Sequence, residues 1–131
     1  MNIEQGIYSI LTADTTLTAM LSSTTAIFQE VAPEGTENPC IVFTETVNDT
    51  NPTKDGVSIL DIPNLQVDVY ANTISERNTI AARARTTLDG YSGTADGIVF
   101  DHIMFQTIYK LYDDIAKCFR ASMDFQTRQK L

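Results

Sequence analysis

The sequence has few of the residues that build metal and catalytic sites. It contains one histidine, His102, and two cysteines, Cys40 and Cys118. A zinc site needs a cluster of Cys or His ligands, and a nucleophilic serine needs a neighbouring base, so these three residues do not supply either kind of site. We predict a structural or surface role for His102. The two cysteines lie far apart within apolar stretches, and we expect them to be buried, reduced thiols.

Calcium-binding and acid–base patterns are also missing. Residues 49–55 carry part of a calcium-loop pattern, but Lys54 replaces its turn glycine and Leu60 replaces its bidentate glutamate. Asp113 and Asp114 are adjacent, so we predict a hairpin tip there, because neighbouring turn carboxylates point apart and do not share a proton. The sequence contains no serine-nucleophile elbow, Walker loop or dinucleotide fingerprint. We therefore expect no catalytic residue, metal ligand or cofactor site, and hence no enzyme.

Long apolar runs and an excess of positive charge are absent too. No segment approaches the roughly 20 apolar residues that span a bilayer, and residues 1–5 lack the basic start of a secretion signal. The formal net charge is -8 and the isoelectric point is about 4.4. We therefore expect a cytoplasmic chain that neither enters a membrane nor binds DNA stably, although mild repulsion would suit a protein that surrounds moving DNA.

The remaining composition is that of a folded protein. Hydrophobic residues make up 43% and charged residues 20% of the 131 residues, which is typical of a globular chain. One apolar core serves a chain of this length. We therefore predict a single domain over residues 1–131.

Hydrophobic periodicity predicts the order of helices and strands. Apolar residues recur at helical spacing over the first twenty or so residues, which predicts two short helices or one broken helix. Polar and turn residues fill 48–56, which predicts an exposed loop, and 90–97, which predicts a connection. Strands are predicted over five segments: 26–31, 40–47, one that ends at residue 70 and has Pro63 near its start or at an unpaired edge, 98–112 and 117–128.

One helix has clear signals at both ends. Thr73 and Glu76 form a capping box, and Gly90 supplies a left-handed stop. Its apolar stripe is narrow and partly made of small residues, which favours close packing on a sheet: Ile80, Ala81, Ala84 and Leu88. The same helix carries Arg77, Arg83 and Arg85. The favoured interpretation of this basic side is a solvated helix face, and the alternative is a contact with an acidic partner surface, which makes the three arginines the candidate subunit interface.

Alternation within the strands predicts one buried and one wet face. In the third strand Leu65, Val67 and Val69 share a face. In the last strand the alternation places Cys118 and Arg120 on the wet face. Short loops favour antiparallel pairing of neighbouring strands. The predicted fold is α+β, with a mostly antiparallel sheet of about five strands and two or three helices packed on one face.

Four segments, taken in order, resemble a known family. They are NPCIVF at 38–43, LQVDVYA at 65–71, LDG at 88–90 and SMDF at 122–125. In this order and spacing the chain resembles the tail-completion or tail-terminator proteins of long-tailed bacteriophages, over nearly its whole length.

The resemblance implies a structural virion protein of the phage neck, assembled in the cytoplasm of a bacterial host. Such proteins form a homo-oligomeric ring, usually a hexamer, that caps the tail tube, ends its elongation and joins the tail to the head connector or stopper. DNA only passes through the lumen. The family has no catalytic residues or cofactors to carry over. The alternatives are another head–tail joining component and an unrelated α+β domain that binds a small ligand.

The resemblance also suggests where the contacts lie. We predict that residues 48–56, with Asp49, Asn51, Lys54 and Asp55, form a mobile loop that contacts the tube or lines the channel. The subunit interface is predicted to use unpaired sheet edges and the helix that carries the three arginines.

Overall fold

The computed structural model describes residues 3–23, 25–50, 60–115 and 117–130. They form three helices and six strands, in the order α1 Glu4–Ala13, α2 Thr15–Ala19, β1 Ile27–Gln29, β2 Cys40–Thr50, β3 Leu60–Ala71, α3 Ile74–Leu88, β4 Gly93–Ala95, β5 Ile98–Asp113 and β6 Cys118–Lys130. The α+β class predicted from the sequence is confirmed.

The strands form a single mixed sheet in the order β1-β2-β3-β6-β5-β4. Only the β1–β2 pair is parallel, and the other four pairs are antiparallel. The strand count is six where about five were expected, because β4 forms within the predicted connection. Asp96 and Gly97 both have positive φ, 50° and 79°, as a tight two-residue hairpin turn requires, and this turn folds β4 back onto β5.

β2 is longer than its sequence predicts. Residues 48–50 were expected to begin an exposed loop, but Asn48, Asp49 and Thr50 continue the strand and pair with residues 61–63 of β3. The prediction of a loop over these three positions was wrong, because antiparallel pairing outweighs the turn preference of Asn and Asp. Pro63 is the fourth residue of β3 and so lies near its start, as expected.

The helix ends follow the capping rules. Asp14 separates α1 from α2 and accepts hydrogen bonds from the amides of Thr16 and Leu17, so the first segment is two short helices. Thr73 accepts from the amide of Glu76, and the Glu76 carboxylate accepts from the amide of Asn72. Gly90 has φ 81° and ends α3 as predicted.

The helices cover one face of the sheet. The buried stripe of α3 packs on the apolar face of β3 and β6, where Leu65, Val67 and Val69 are fully buried. α1 comes close enough that a β-carbon added to Gly6 would lie 2.6 Å from the Phe100 ring. The helix backbone therefore rests directly on that ring, with no side chain between them.

Cys118 is a correction to the predicted wet face of β6. Its side chain is 1% exposed, and Cys40 on the same sheet face is 3% exposed. Asn38, at the end of the connection from β1, lies at this corner with its Oδ1 3.7 Å from the Cys40 Sγ. The connection covers the corner, so both thiols are buried and form no disulfide, which confirms the expectation from their apolar stretches over the one from strand alternation.

Candidate functional site

The three arginines of α3 point in two directions. Arg83 turns towards the junction of α1 and α2, whereas Arg77 and Arg85 turn towards rings on β6 and β5. The structure therefore does not bring the three together on one surface. A contact role for the three arginines stays a prediction. The neighbours of each arginine determine whether its guanidinium is available to a partner.

Arg83 is committed to a contact within the subunit. Its Nε donates to Asp14 Oδ2 at 2.8 Å and its Nη2 donates to Oδ1 at 3.0 Å. Thr87 Oγ1 donates to the same carboxylate. These bonds, first among them those from Arg83, lower the pKa of Asp14 to about 2 although burial opposes the shift. Asp14 is therefore a structural anion that joins α2 to α3.

Arg77 and Arg85 instead lie over aromatic rings. The Arg85 guanidinium is 3.8 Å from the centroid of Phe105 and its side chain is exposed. Arg77 is buried, lies 5.8 Å from the centroid of Phe119 and donates to Asn78 Oδ1. A guanidinium held on a ring face keeps its edge donors free for another acceptor. The exposed Arg85 is thus the arginine best placed to meet a partner.

An open groove of about 400 Å³ runs between α3 and β5. Asn78, Ala82 and Arg85 line its helix side, since their spacing of four and three residues puts them on one face. Ile108 and Lys110 of β5 line the other side. The groove therefore has a partly apolar floor and a positively charged rim.

The end of the β5–β6 hairpin exposes apolar side chains on both of its faces. Tyr109 is 61% exposed, Tyr112 47% and Ile115 96%. Tyr112 stacks edge-on against Phe119 with ring centroids 5.0 Å apart. An exposed apolar cluster of this kind is typical of a surface that meets another protein.

The open face of the sheet carries a polar network. Arg120 Nη2 donates to Asp68 Oδ2 at 3.1 Å, and Gln66 Nε2 donates to the same carboxylate. The Arg120 guanidinium also lies 5.5 Å from the centroid of Tyr70. These contacts link β3 and β6 across the open face, although the Arg120 Nε is buried without a hydrogen-bond partner among the described residues, so we interpret the network as support for the sheet.

Most of the predicted loop falls outside the part of the chain that the structure describes. Asn51, Lys54 and Asp55 lie there, and Asp49 is in β2. Asp114 is exposed in the β5–β6 turn, and Asp113 Oδ1 accepts from the amide of Ile115, as a hairpin tip requires. Among the described residues, no group of three or more His, Cys, Asp or Glu side chains is placed to hold a metal ion. None of the described helices has the length and apolarity needed to span a membrane.

Sequence reasoning missed the groove and the exposed hairpin. A signal for the hairpin was present, because apolar residues of β5 occupy both alternating positions: Ile108, Tyr109, Leu111 and Tyr112. A strand with one wet face does not need both. The groove left no local signal, since its two walls come from segments about thirty residues apart.

Comparison with known proteins adds the family. Residues 5–130 match the family model described as tail completion protein gp17. The fold is similar to a chain in a structure titled "Virion of native gene transfer agent (GTA) particle", with a TM-score of 0.77, 18% sequence identity, and coverage of 96% of this chain and 92% of that one. No curated protein sequence is detectably similar. Because the family model spans nearly the whole chain, this protein belongs to the gp17 family of tail completion proteins, which are structural proteins of the bacteriophage tail and part of the virion.

Proposed function

We propose that this protein forms a ring, of six subunits as the family resemblance implies, that caps the finished tail tube. The ring ends elongation of the tube and presents a surface to the head connector. The match to the tail completion family over residues 5–130 carries this proposal. The protein acts by geometry, and no substrate is converted.

Features of the described surface support an assembly role. The β5–β6 hairpin exposes Tyr109, Tyr112 and Ile115, which a lone soluble subunit gains nothing by exposing. The edge strand β1 has only three residues and pairs with 41–43 of β2, so residues 44–50 of β2 have no strand partner on that side within the described part of the chain and could pair with a neighbour. Both features are explained if other chains of the assembly cover the hairpin side chains and pair with the edge of β2.

The charge of the subunit suits a channel for DNA. The net charge of -8 would repel a duplex on average, so DNA would slide through a lumen without being held. Specific DNA binding is not part of this proposal.

The hairpin between β2 and β3 is the proposed contact with the tube. The two strands pair as far as Thr50 and Asp61. Asp49 belongs to β2, and Asn51, Lys54 and Asp55 follow in the sequence between the two strands. Deleting residues 51–55 should leave the free energy of unfolding within about 1 kcal/mol, because loop shortening changes closure entropy only slowly. Capping of tubes should be lost. A deletion variant that caps normally would remove this contact from the proposal.

Electron microscopy with polymerised tail tubes tests the function itself. A tail-completion ring should bind one end of each tube and stop further addition of tube subunits. The competing function is a head-side joining component of the neck, which would bind the portal assembly and leave tube growth unchanged. A ringless particle with an affinity for a small ligand would contradict both.

A further inference from the structure

Charge is distributed very unevenly along this chain. The first 53 residues contain seven acidic residues and no lysine or arginine, whereas residues 54–131 contain ten acidic and nine basic residues. The net charge of -8 therefore divides into -7 and -1. The first 53 residues are therefore strongly acidic and the remainder is nearly balanced, so an acidic surface segment of one copy can meet a basic surface of another.

The acidic part includes a well-held exposed segment, residues 30–37. Glu30, Glu34 and Glu37 are all exposed, and Val31 is 74% exposed. The segment is fixed at both ends, since the Glu30 amide donates to Phe43 O at 2.8 Å and the Glu37 carbonyl accepts from Ser22 Oγ at 2.9 Å. It is thus a preformed acidic ridge with an apolar side chain, and binding it costs little ordering entropy.

The groove between α3 and β5 has the opposite character. Arg85 and Lys110 are exposed on its rim, and Ile108 contributes to its floor. Within the described part of the chain, the two ion pairs use other cations, Arg83 and Arg120. Arg85 and Lys110 therefore form no ion pair within the described part of the subunit.

The ridge and the groove lie towards opposite ends of the sheet. The ridge follows β1 at one edge, and β5 is four strand positions away in the order β1-β2-β3-β6-β5-β4. At about 4.8 Å per strand the separation is roughly 19 Å along the sheet. A chain does not fill its own groove across that width, but a second copy beside it can.

We propose that the acidic ridge of one subunit docks in the α3–β5 groove of a second copy, with Val31 against the apolar floor and the glutamates against Arg85 and Lys110. This contact is head-to-tail, so it repeats around a ring or along a filament and does not stop at a dimer. It deepens the ring function proposed above and rests on it. It also gives Arg85, alone among the three arginines of α3, a direct contact with the neighbour.

Covalent trapping tests the contact even if it is weak. The double variant Val31→Cys/Ala82→Cys carries one thiol on the ridge and one on the groove wall. With a short bis-maleimide at high protein concentration it should give a ladder of crosslinked oligomers. Each single variant should give no species beyond a dimer. The control Val31→Cys/Thr16→Cys places the second thiol on exposed α2, away from the groove. A ladder as strong in this control as in the test variant, or no ladder in the test variant, would overturn the proposal.

Reversing the charges on one surface at a time tests whether the contact is head-to-tail. Arg85→Glu/Lys110→Glu disables the groove, and Glu34→Lys/Glu37→Lys disables the ridge, so each change should weaken self-association at least about tenfold. Mixing the two variants should restore association, since each native surface meets a native partner and the reversed ridge and reversed groove again carry opposite charges. Arg128→Glu, on an exposed position of β6, is the charge control and should associate normally. Normal association by the groove variant, or mixing that does not restore association, would contradict a head-to-tail contact.

The same variants separate this contact from the proposed function. If the ladder forms and mixing restores association, but the wild-type protein does not stop tube growth, the contact is supported and the capping function is contradicted. If the wild-type and both charge-reversed proteins cap tubes equally well, the capping function is supported and the ridge–groove contact is contradicted.

Discussion

Arg83 and Asp14, 69 residues apart in the chain, form a two-bond ion pair that ties α3 to the start of α2. The carboxylate also caps α2 through the Thr16 and Leu17 amides. Asp14→Asn keeps an oxygen for the cap and removes the charge. We expect it to lower the free energy of unfolding by about 1–2 kcal/mol: the shift from the ordinary pKa of 3.8 to about 2 sets the upper value, and solvent around the partly exposed Arg83 screens part of it.

Urea unfolding at pH 7 measures this loss. Asp114→Asn is the matched control, because Asp114 is exposed in the β5–β6 turn, and it should change the free energy of unfolding by less than about 0.5 kcal/mol. Equal stabilities of the two variants would show that the ion pair contributes nothing.

The same carboxylate predicts a pH dependence. Its pKa is lower in the folded state than in the unfolded chain, so its contribution is fully present above about pH 4 and is lost as the pH falls towards 2. Stability measured from pH 5 to pH 2 should therefore fall less steeply in Asp14→Asn than in the wild type. Parallel curves for the two proteins would contradict this assignment.

The contact between α1 and the Phe100 ring predicts a steric penalty. In Gly6→Ala the new methyl carbon would meet the ring at 2.6 Å and the Ala95 carbonyl at 3.2 Å. Phe100 is fully buried, so the ring has little room to move. We expect a loss of about 1–3 kcal/mol in the free energy of unfolding. Gln5→Ala, at an exposed position of the same helix, is the control and should be neutral or slightly stabilising.

The two thiols should be unreactive in the folded protein. Burial raises the pKa of Cys40 to about 11 and also raises that of Cys118, so almost no thiolate is present at neutral pH. A coloured disulfide reagent at pH 7.5 should label neither cysteine within minutes, and both at once in 6 M guanidinium. Fast labelling of the native protein would show that the Asn38 corner is open.

The exposed hairpin predicts a change in assembly without a change in stability. Tyr109→Ser replaces a side chain that is 61% exposed, so the free energy of unfolding should shift by less than about 0.5 kcal/mol. Capping of tail tubes should weaken, because an apolar contact is lost. Gln106→Ser, at an exposed position of the same strand, removes no apolar side chain, so it is the control and should cap normally. Equal capping by the two variants would show that Tyr109 makes no contact in the assembly.

Local patterns in the sequence predicted most of the helices and strands but few of the surface contacts. The cap at Thr73, the stop at Gly90 and the alternation from Leu65 to Val69 each depend on neighbours in the chain, and each was confirmed. Long-range pairing decided the rest. The extension of β2 to Thr50 depends on a partner strand, and the burial of Cys118 depends on a connection about eighty residues earlier.

The candidate surfaces show the same division. The arginines of α3 were visible as a group, but whether each is available depends on what it meets: Asp14 for Arg83, Phe119 for Arg77 and Phe105 for Arg85. The spacing of residues along the sequence does not predict these contacts. The groove likewise exists only once β5 is placed beside α3.

The position of β6 has a consequence for synthesis. The last strand in chain order lies in the interior of the sheet, between β3 and β5, so a nascent chain that has not yet released residues 118–130 leaves β3 and β5 without their shared neighbour. Such a chain cannot close its core or align its outer surfaces. We therefore expect a chain that lacks residues 118–130 to take no part in the proposed assembly.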